Sequence, residues 1–152
     1  MKEYEYSFEV NDLKLYIDYC EKNNYTLISS NQETRDLYTN NSKILARLTK
    51  NSDNVILDFK DENDSNETLK ERRESIPLCV KESEINKINS ILEILDYKLI
   101  KHLERNRRVY KKDNVKFELD DYIYPEVNHV VAIEGNKEEV DKVYNELNQI
   151  IK

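Results

Sequence analysis

Charged side chains of both signs recur at every second position in several segments of the sequence. Glu3 and Glu5 have this spacing, and four later pairs share it: Asp58 with Lys60, Arg72 with Glu74, Arg105 with Arg107, and Glu118 with Asp120. Side chains at positions i and i+2 of a β-strand point to the same face of the sheet. If these segments are strands, each has a charged face that either meets solvent or lines a site for charged ligands.

The number of glycines limits what kind of site these charges could form. The chain has one glycine, Gly135, among 152 residues, whereas the P-loop, the dinucleotide-binding turn and the nucleophile elbow each need several. Any phosphate site must therefore be built from side chains. The net charge of -7 opposes sequence-independent attraction to nucleic acids or anionic membranes, so neither is expected as a partner.

The length and the hydropathy pattern favour one domain in the cytoplasm. A chain of 152 residues lies near the commonest single-domain size, so we expect a single domain over residues 1–152. No apolar run in the sequence approaches the roughly 18 residues of a membrane span. The charged start of the chain does not resemble a signal peptide, and we expect a cytoplasmic protein.

Periodicity predicts the elements that must position the charged residues. Residues 3–10 alternate without a break, with Glu3 and Glu5 on one face and Tyr6 and Phe8 on the other, which is typical of a strand. Seven further strands are expected, at roughly 25–39, 42–50, 54–61, 67–76, 97–110, 114–123 and 128–134. Apolar residues at helical spacing predict three helices, at about 11–24, 84–95 and 136–151.

This order of elements indicates an α+β fold. Eight strands with few helices favour a curled or closed sheet, because closure removes exposed strand edges. We therefore expect an eight-stranded antiparallel β-barrel, or tunnel, with about three helices packed outside it. Periodicity does not decide which face lies inside, and rows of charge are usually solvated. An outer, solvent-facing position for the charges is thus the simpler alternative.

The order of particular residues along the strands favours the interior. Six motifs follow one another along the chain: Glu3 and Glu5, Leu57 to Lys60, Arg72 to Glu74, Arg105 to Tyr110, Phe117 to Asp120, and Ala132 to Gly135. This ordered set resembles the CYTH family, also called triphosphate tunnel metalloenzymes, which includes class IV adenylyl cyclases and thiamine triphosphatases. The resemblance covers the whole chain and implies an antiparallel tunnel whose charged face points inward.

The resemblance also implies a polyphosphate gripped by basic side chains beside a divalent metal, Mg²⁺ or Mn²⁺. Guanidinium groups bind phosphate oxygens through paired hydrogen bonds, and these metals take carboxylate oxygens as ligands. The implied phosphate-binding residues are Arg47, Lys60, Arg72, Arg105 and Arg107. The implied metal ligands are Glu3, Glu5 and Glu134. Catalytic roles fall to Glu5 and Arg107, and the further candidates are Glu74, Glu118 and Asp120.

Two positions depart from the family pattern. Ser7 stands where the family has a lysine, and Ala132 stands where it has the first glutamate of its closing pair. One phosphate contact and one metal ligand are therefore missing. Arg35 and Tyr38 lie where the family often has basic and aromatic residues, but the alignment there is loose and both are left outside the implied site.

The expected function is that of a metal-dependent phosphohydrolase, whose partner is a triphosphate or nucleotide small molecule. Two alternatives stay open. A non-catalytic module could bind a phosphate ligand in the same tunnel, with Ser7 and Ala132 marking lost catalysis. A class IV-type adenylyl cyclase would use the ribose 3′-hydroxyl of ATP in place of water as the attacking group. A homodimer contact through the apolar helix faces is also open.

Overall fold

The computed structural model describes residues 2–62 and 68–151, which form nine strands, three α-helices and one turn of 3-10 helix, Glu82–Glu84. The strands are β1 Lys2–Val10, β2 Thr26–Thr39, β3 Ile44–Lys50, β4 Val55–Asp61, β5 Leu69–Arg73, β6 Leu78–Val80, β7 Lys98–Lys112, β8 Val115–Tyr124 and β9 Asn128–Gly135. The helices are α1 Lys14–Lys22, α2 Ile85–Ile94 and α3 Lys137–Ile151. Residue 67, the expected start of the fifth strand, lies outside the described residues.

All nine strands belong to one antiparallel sheet, in the order β5-β1-β9-β8-β7-β2-β3-β4-β6. The α+β class is confirmed, and all three expected helices are present. The expected count of eight strands is wrong, because β6 adds a ninth. Its three residues, Leu78–Val80, are too few to show a period-2 pattern.

The sheet curls until its two ends approach each other, but it does not close into a barrel. Among the described residues, β4 meets the chain just after β5 at one bridge, between Lys60 and Glu74, next to a hydrogen bond from the Ser75 amide to the Phe59 carbonyl (2.9 Å). The other end of β4 pairs with β6, from Val55 to Leu57, so it is not available to β5. Of the two expected forms, a closed and a curled sheet, the closed barrel is therefore wrong, and the shape is that of a curled, open, tunnel-like sheet.

The outer face of the sheet carries the hydrophobic core. Phe117 and Leu119 of β8 are fully buried with residues of α1 and α3, and Tyr6 of β1 stacks on Tyr144 of α3 with ring centroids 3.9 Å apart. A second, smaller core lies beneath α2, where Leu92 packs with residues of β3 and β4. The aromatic and aliphatic faces of the strands therefore point outward, against the helices.

The charged faces point inward, which excludes the alternative of a solvent-facing charged surface. Glu5, Arg105 and Asp120 are only 7%, 2% and 2% exposed.

In the described ranges, 2–62 and 68–151, no helix has both the length and the apolar composition to cross a membrane.

Gly135 ends β9 in a conformation that other residues rarely adopt. Its φ is +154°, and a Cβ at this position would lie 2.3 Å from the carbonyl oxygen of Asn114. We expect Gly135→Ala to lower the free energy of unfolding by about 1–3 kcal/mol or more, through backbone strain and this overlap. Urea unfolding measures the change, with Glu138→Ala on the exposed side of α3 as the control. An unaltered midpoint for Gly135→Ala would contradict the expectation.

Candidate functional site

A cavity of about 280 Å³ lies inside the tunnel and is lined mainly by charged side chains from six strands and the segment after β5. Its lining residues are Glu33, Arg35, Arg47, Thr49, Ile56, Asp58, Lys60, Glu74, Pro77, Arg107, Lys116, Glu118 and Glu134. Five of these are basic and five are acidic. A larger cavity of about 660 Å³ adjoins it at one mouth of the tunnel and shares Glu74, Lys116 and Glu134 with it.

Three acidic side chains from neighbouring strands converge beside these cavities, where Glu134 lines both and Glu3 lines the larger one. Glu5 of β1 is paired directly with Glu134 of β9, and Glu3 lies two residues before Glu5 on the same face. One carboxylate oxygen from each of the three lies within 4.8 Å of the others. Glu5 and Glu134 are buried, and Glu3 is partly exposed. The structure thus brings together the three metal ligands implied by the sequence.

Two lysines neutralise part of the negative charge of this carboxylate cluster. The Nζ atom of Lys60 lies 3.0 Å from Glu3 and 3.0 Å from Glu5, and Nζ of Lys116 lies 3.1 Å from Glu134. Burial lowers the pKa of Lys60, but Glu5 and Glu3 outweigh that effect, and the pKa is raised overall. Both ammonium groups therefore stay charged and serve as counter-ions to the acids.

The cluster still carries more acid than its lysines can offset. Burial raises the pKa of Glu3 to about 7, and the neighbouring carboxyl of Glu74 adds to the increase. Burial and the nearby Glu118 raise the pKa of Glu134 well above its usual range. Carboxyl groups that retain protons near neutral pH mark a place where additional positive charge is favourable. Three converging carboxylates are also a donor set that suits Mg²⁺ or Mn²⁺, so the residues fit the implied metal.

Two arginines form paired hydrogen bonds with carboxylates on the cavity wall. Arg107 donates from Nε and Nη2 to Asp120 (2.7 and 2.8 Å) and from Nη1 to Glu118 (2.9 Å). Burial would lower the pKa of Arg107, but Glu118 and Asp120 raise it well above its usual range. Arg47 pairs with Asp58 and donates from Nη2 to Glu74 (2.9 Å). These acids hold both guanidinium groups in place beside the cavity.

The other two predicted phosphate ligands do not line this cavity. Arg105 is almost fully buried in the wall, where Nε donates to Glu33 (2.7 Å) and Nη1 donates to the Tyr122 hydroxyl (2.9 Å). Arg72 faces Glu3 across the β1–β5 pair, and its buried Nε has no hydrogen-bond partner in the part of the chain that the structure describes. Lys60, Arg47 and Arg107 are therefore the predicted basic residues that face the cavity.

Arg35 of β2 lines the cavity, although the sequence left it outside the implied site. Its Nε donates to the Thr49 hydroxyl (2.9 Å), and within residues 2–62 and 68–151 it has no ion pair with a carboxylate. Burial and the nearby Arg105 and Arg107 lower its pKa to about 9. Arg35 is thus a charged group at neutral pH whose surroundings favour an anion.

Lys116 is a second residue that the sequence did not assign to the site. It lies two residues before Glu118 on the same face of β8, so the alternation used for Glu118 and Asp120 would have included it. Glu33 could have been recognised in the same way, two residues before Arg35. By contrast, Glu74, Glu118 and Asp120, the less certain candidates, all contact the arginines or lysines described above.

The two departures from the family pattern lie side by side. Ser7 of β1 is paired directly with Ala132 of β9, and Ala132 is paired with Glu118 of β8 on its other side. Ser7 is exposed. This part of the wall therefore has neither the lysine nor the glutamate of the family pattern.

Several solved structures share this fold, and three of them show the extent of the likeness. The PH1012 protein of Pyrococcus horikoshii superposes with a TM-score of 0.74 at 20% identity, over 97% of this chain and 88% of that one. HpAC1 from Hippeastrum, a candidate adenylyl cyclase with dominant triphosphatase activity, gives 0.72 at 13% identity, over 98% and 86%. A candidate adenylate cyclase from Vibrio parahaemolyticus gives 0.64 at 14% identity, over 95% and 82%.

The chain therefore has the fold of these structures, a curled antiparallel sheet of the kind that its motifs predict. No family model matches the sequence, and no curated protein matches it. Because the identities are 20% or lower, the likeness establishes the fold alone. A fold can carry many activities, and the activity has to be argued from the site.

Proposed function

We propose that this protein is a metal-dependent phosphohydrolase that binds a triphosphate-containing substrate inside its tunnel. The observation that carries the proposal is a cluster of three carboxylates, Glu3, Glu5 and Glu134, of which Glu134 also lines the cavity that is lined by arginine side chains. The first group suits a divalent cation and the second suits phosphate oxygens. Phosphoryl transfer depends mainly on such positioning and charge neutralisation.

The basic residues divide into groups with different tasks. Arg35 has no carboxylate partner among the described residues and would take the first share of the phosphate charge. Arg47 and Arg107 are held by acids, yet each guanidinium has five donors, so donors remain for phosphate oxygens. Arg107 is also the basic group that we assign to catalysis, because it would stabilise the charge that develops as the phosphoryl group transfers. Arg72 and Arg105 do not line the cavity and would contribute only their positive charge from the wall of the tunnel.

The acidic residues would hold the metal and maintain the arginine positions. Glu3, Glu5 and Glu134 would hold Mg²⁺ or Mn²⁺, and the bound cation would supply neutralisation of phosphate charge and activation of water. Glu118 and Asp120 orient Arg107 through the hydrogen bonds that they accept. No serine or cysteine nucleophile is needed, because water can attack the phosphorus in line with the leaving group.

The fold neighbours support a triphosphate-related function in general. HpAC1 is named as a candidate adenylyl cyclase, but its dominant activity is that of a triphosphatase. Hydrolysis and cyclisation could use the same basic and acidic residues. They differ in the attacking oxygen and in the phosphorus attacked: water at the terminal phosphorus releases phosphate, whereas the ribose 3′-hydroxyl at the α-phosphorus releases pyrophosphate. Hydrolysis needs only water, so it is the function that we place first, with cyclisation of ATP as the alternative within the same class.

A single assay tests the proposal and separates the alternatives. Purified protein is given inorganic triphosphate, thiamine triphosphate or ATP, with Mg²⁺ or Mn²⁺, and phosphate, pyrophosphate and cyclic AMP are measured together. We expect metal-dependent release of phosphate from at least one substrate. Cyclic AMP and pyrophosphate formed in equal amounts from ATP would identify a cyclase. Absence of turnover for every substrate and metal would overturn the enzymatic proposal.

A non-catalytic binding module is favoured by one feature, the Ser7–Ala132 pair. These residues contribute no charge where the family pattern has a lysine and a glutamate, so binding could persist where turnover is lost. Calorimetry with inorganic triphosphate distinguishes the two functions. Binding without turnover would support the module, and turnover would exclude it.

A further inference from the structure

The ammonium group of Lys60 lies within the acidic cluster and not free in the cavity. Its Nζ atom is 3.0 Å from Glu3, 3.0 Å from Glu5 and 3.4 Å from Glu74. An ammonium has three N–H donors, and here three carboxylates surround it. The side chain is 6% exposed, so water does not share in these contacts to any large extent.

Two of these acids belong to the set that would hold a metal. Glu3 and Glu5 are each bound to Lys60, and with Glu134 they form the group whose oxygens lie within 4.8 Å of one another. A divalent cation on these carboxylates would lie close to an ammonium in a poorly solvated interior, where like charges repel strongly. The positive charge of Lys60 and that of a metal therefore compete for the same acids.

We propose that Lys60 is an internal counter-ion that occupies the carboxylate cluster and has to leave it when a divalent cation binds. The inference rests on the proposed metal-dependent function and concerns how its site is loaded. In the same step, a polyphosphate in the cavity accepts the displaced ammonium. Metal and polyphosphate therefore strengthen each other's binding, because each removes a charge conflict that the other would create.

The position of Lys60 gives the displaced ammonium a place to go. Its side chain lines the interior cavity together with Arg35, Arg47 and Arg107, the residues assigned to phosphate. The flexible four-carbon stem of lysine allows the ammonium to turn from the acids toward that space. Without an anion there, the move would bring a fourth positive charge beside the three arginines, so the ammonium stays on the acids.

Lys116 differs from Lys60 although it binds the third acid of the cluster. Its side chain is 38% exposed and also lines the cavity at the mouth of the tunnel. Lys116 can leave Glu134 for solvent without needing a new partner. The competition with a metal is therefore expected to be specific to Lys60.

Binding of Mn²⁺ alone, with every phosphate compound excluded, tests the inference. The titration is followed by electron paramagnetic resonance of free Mn²⁺ and compares the wild type with Lys60→Met and with Lys98→Met, an exposed lysine at the start of β7. We expect Lys60→Met to bind Mn²⁺ at least tenfold more tightly than the wild type, and Lys98→Met to match the wild type. Equal or weaker binding by Lys60→Met would overturn the counter-ion role.

A second measurement applies if Lys60→Met does not fold without metal. Refolding is then attempted in Mn²⁺ and in Na⁺ at matched ionic strength, and recovery in Mn²⁺ alone is the expected result. Failure in both solutions counts against the inference. Lys60→Arg, which keeps the positive charge, should bind Mn²⁺ no more tightly than the wild type, and tighter binding would also contradict the competition.

The same titration keeps this inference separate from the proposed function. If Mn²⁺ binds the wild type and Lys60→Met equally, and Glu5→Gln weakens both, the metal site stands and only the counter-ion role fails. If Glu5→Gln leaves Mn²⁺ binding unchanged in both backgrounds, the metal is not at this cluster. The metal-dependent function then fails together with the inference.

Discussion

Replacing Arg35 by methionine should stabilise the unliganded protein and remove most of its response to inorganic triphosphate. The pKa of Arg35 is lowered to about 9 by burial and by neighbouring arginines. The unfolded chain therefore binds this proton more readily than the native chain does between about pH 9 and the ordinary value of 12.5. Over that range stability rises with pH, and at neutral pH the full cost of the buried charge is present.

An anion bound in the cavity turns the buried charge of Arg35 from a cost in folding stability into a stabilising contact. Wild-type protein should melt at a higher temperature with millimolar inorganic triphosphate, because a ligand that binds only the native state stabilises it. Arg35→Met loses a charge-assisted contact of about 1.5–3 kcal/mol, which corresponds to roughly 10- to 100-fold weaker binding. Differential scanning fluorimetry with and without triphosphate measures both effects.

Arg108 provides the matched control for this experiment. It is an exposed arginine on β7, next to Arg107 in sequence but on the opposite face of the strand. Arg108→Met should change neither the unliganded melting temperature nor the triphosphate response by more than a small amount. A triphosphate response of wild-type size in Arg35→Met would show that the anion binds elsewhere.

Glu5→Gln should produce opposite changes in turnover and in metal-free binding. The substitution removes one carboxylate of the buried cluster, so we expect metal-dependent hydrolysis to fall by about 100-fold or more, as for loss of a group that positions the reacting atoms. It also removes a negative charge near the phosphate site and one partner of Lys60. Metal-free binding of triphosphate should therefore be unchanged or tighter.

Glu9→Gln is the matched control, because Glu9 lies on the same strand face as Glu5 but at the opposite mouth of the tunnel. It should leave both turnover and binding at wild-type values. Initial-rate kinetics and calorimetry in the presence of a chelator give the two readouts. Unaltered hydrolysis in Glu5→Gln would refute the metal assignment, and weaker metal-free binding would refute the charge argument.

Most of the strand pattern and the orientation of its faces could be predicted from the sequence. Alternation in β1 separated Glu3 and Glu5 from Tyr6 and Phe8, and the order of the charged motifs identified the face that lies inside. The grouping of Glu3, Glu5 and Glu134 was implied by the family resemblance, and the direct pairing of β1 with β9 produces it. These features depend on local period and on motif order, which a single sequence contains.

The remaining features depend on register, which local periodicity does not contain. The pairing of Arg105 with Glu33 follows from the offset between β2 and β7, and it places Arg105 in the wall instead of the cavity. The position of Lys60 on the acids arises where β4 meets the chain after β5. A short strand such as β6 likewise takes its conformation from its partner β4 and not from its own three residues.

The balance of charge around the interior cavity has a consequence for selectivity. Its five basic residues face five acidic ones, so the cavity as a whole does not attract anions in the way that a purely basic pocket does. Sulfate or monophosphate would gain from Arg35 but would also meet the carboxylates. An anion that arrives together with its own cation satisfies both sets of residues at once. Under the proposed function, this balance of charge would favour a metal-bound polyphosphate over simple anions such as sulfate.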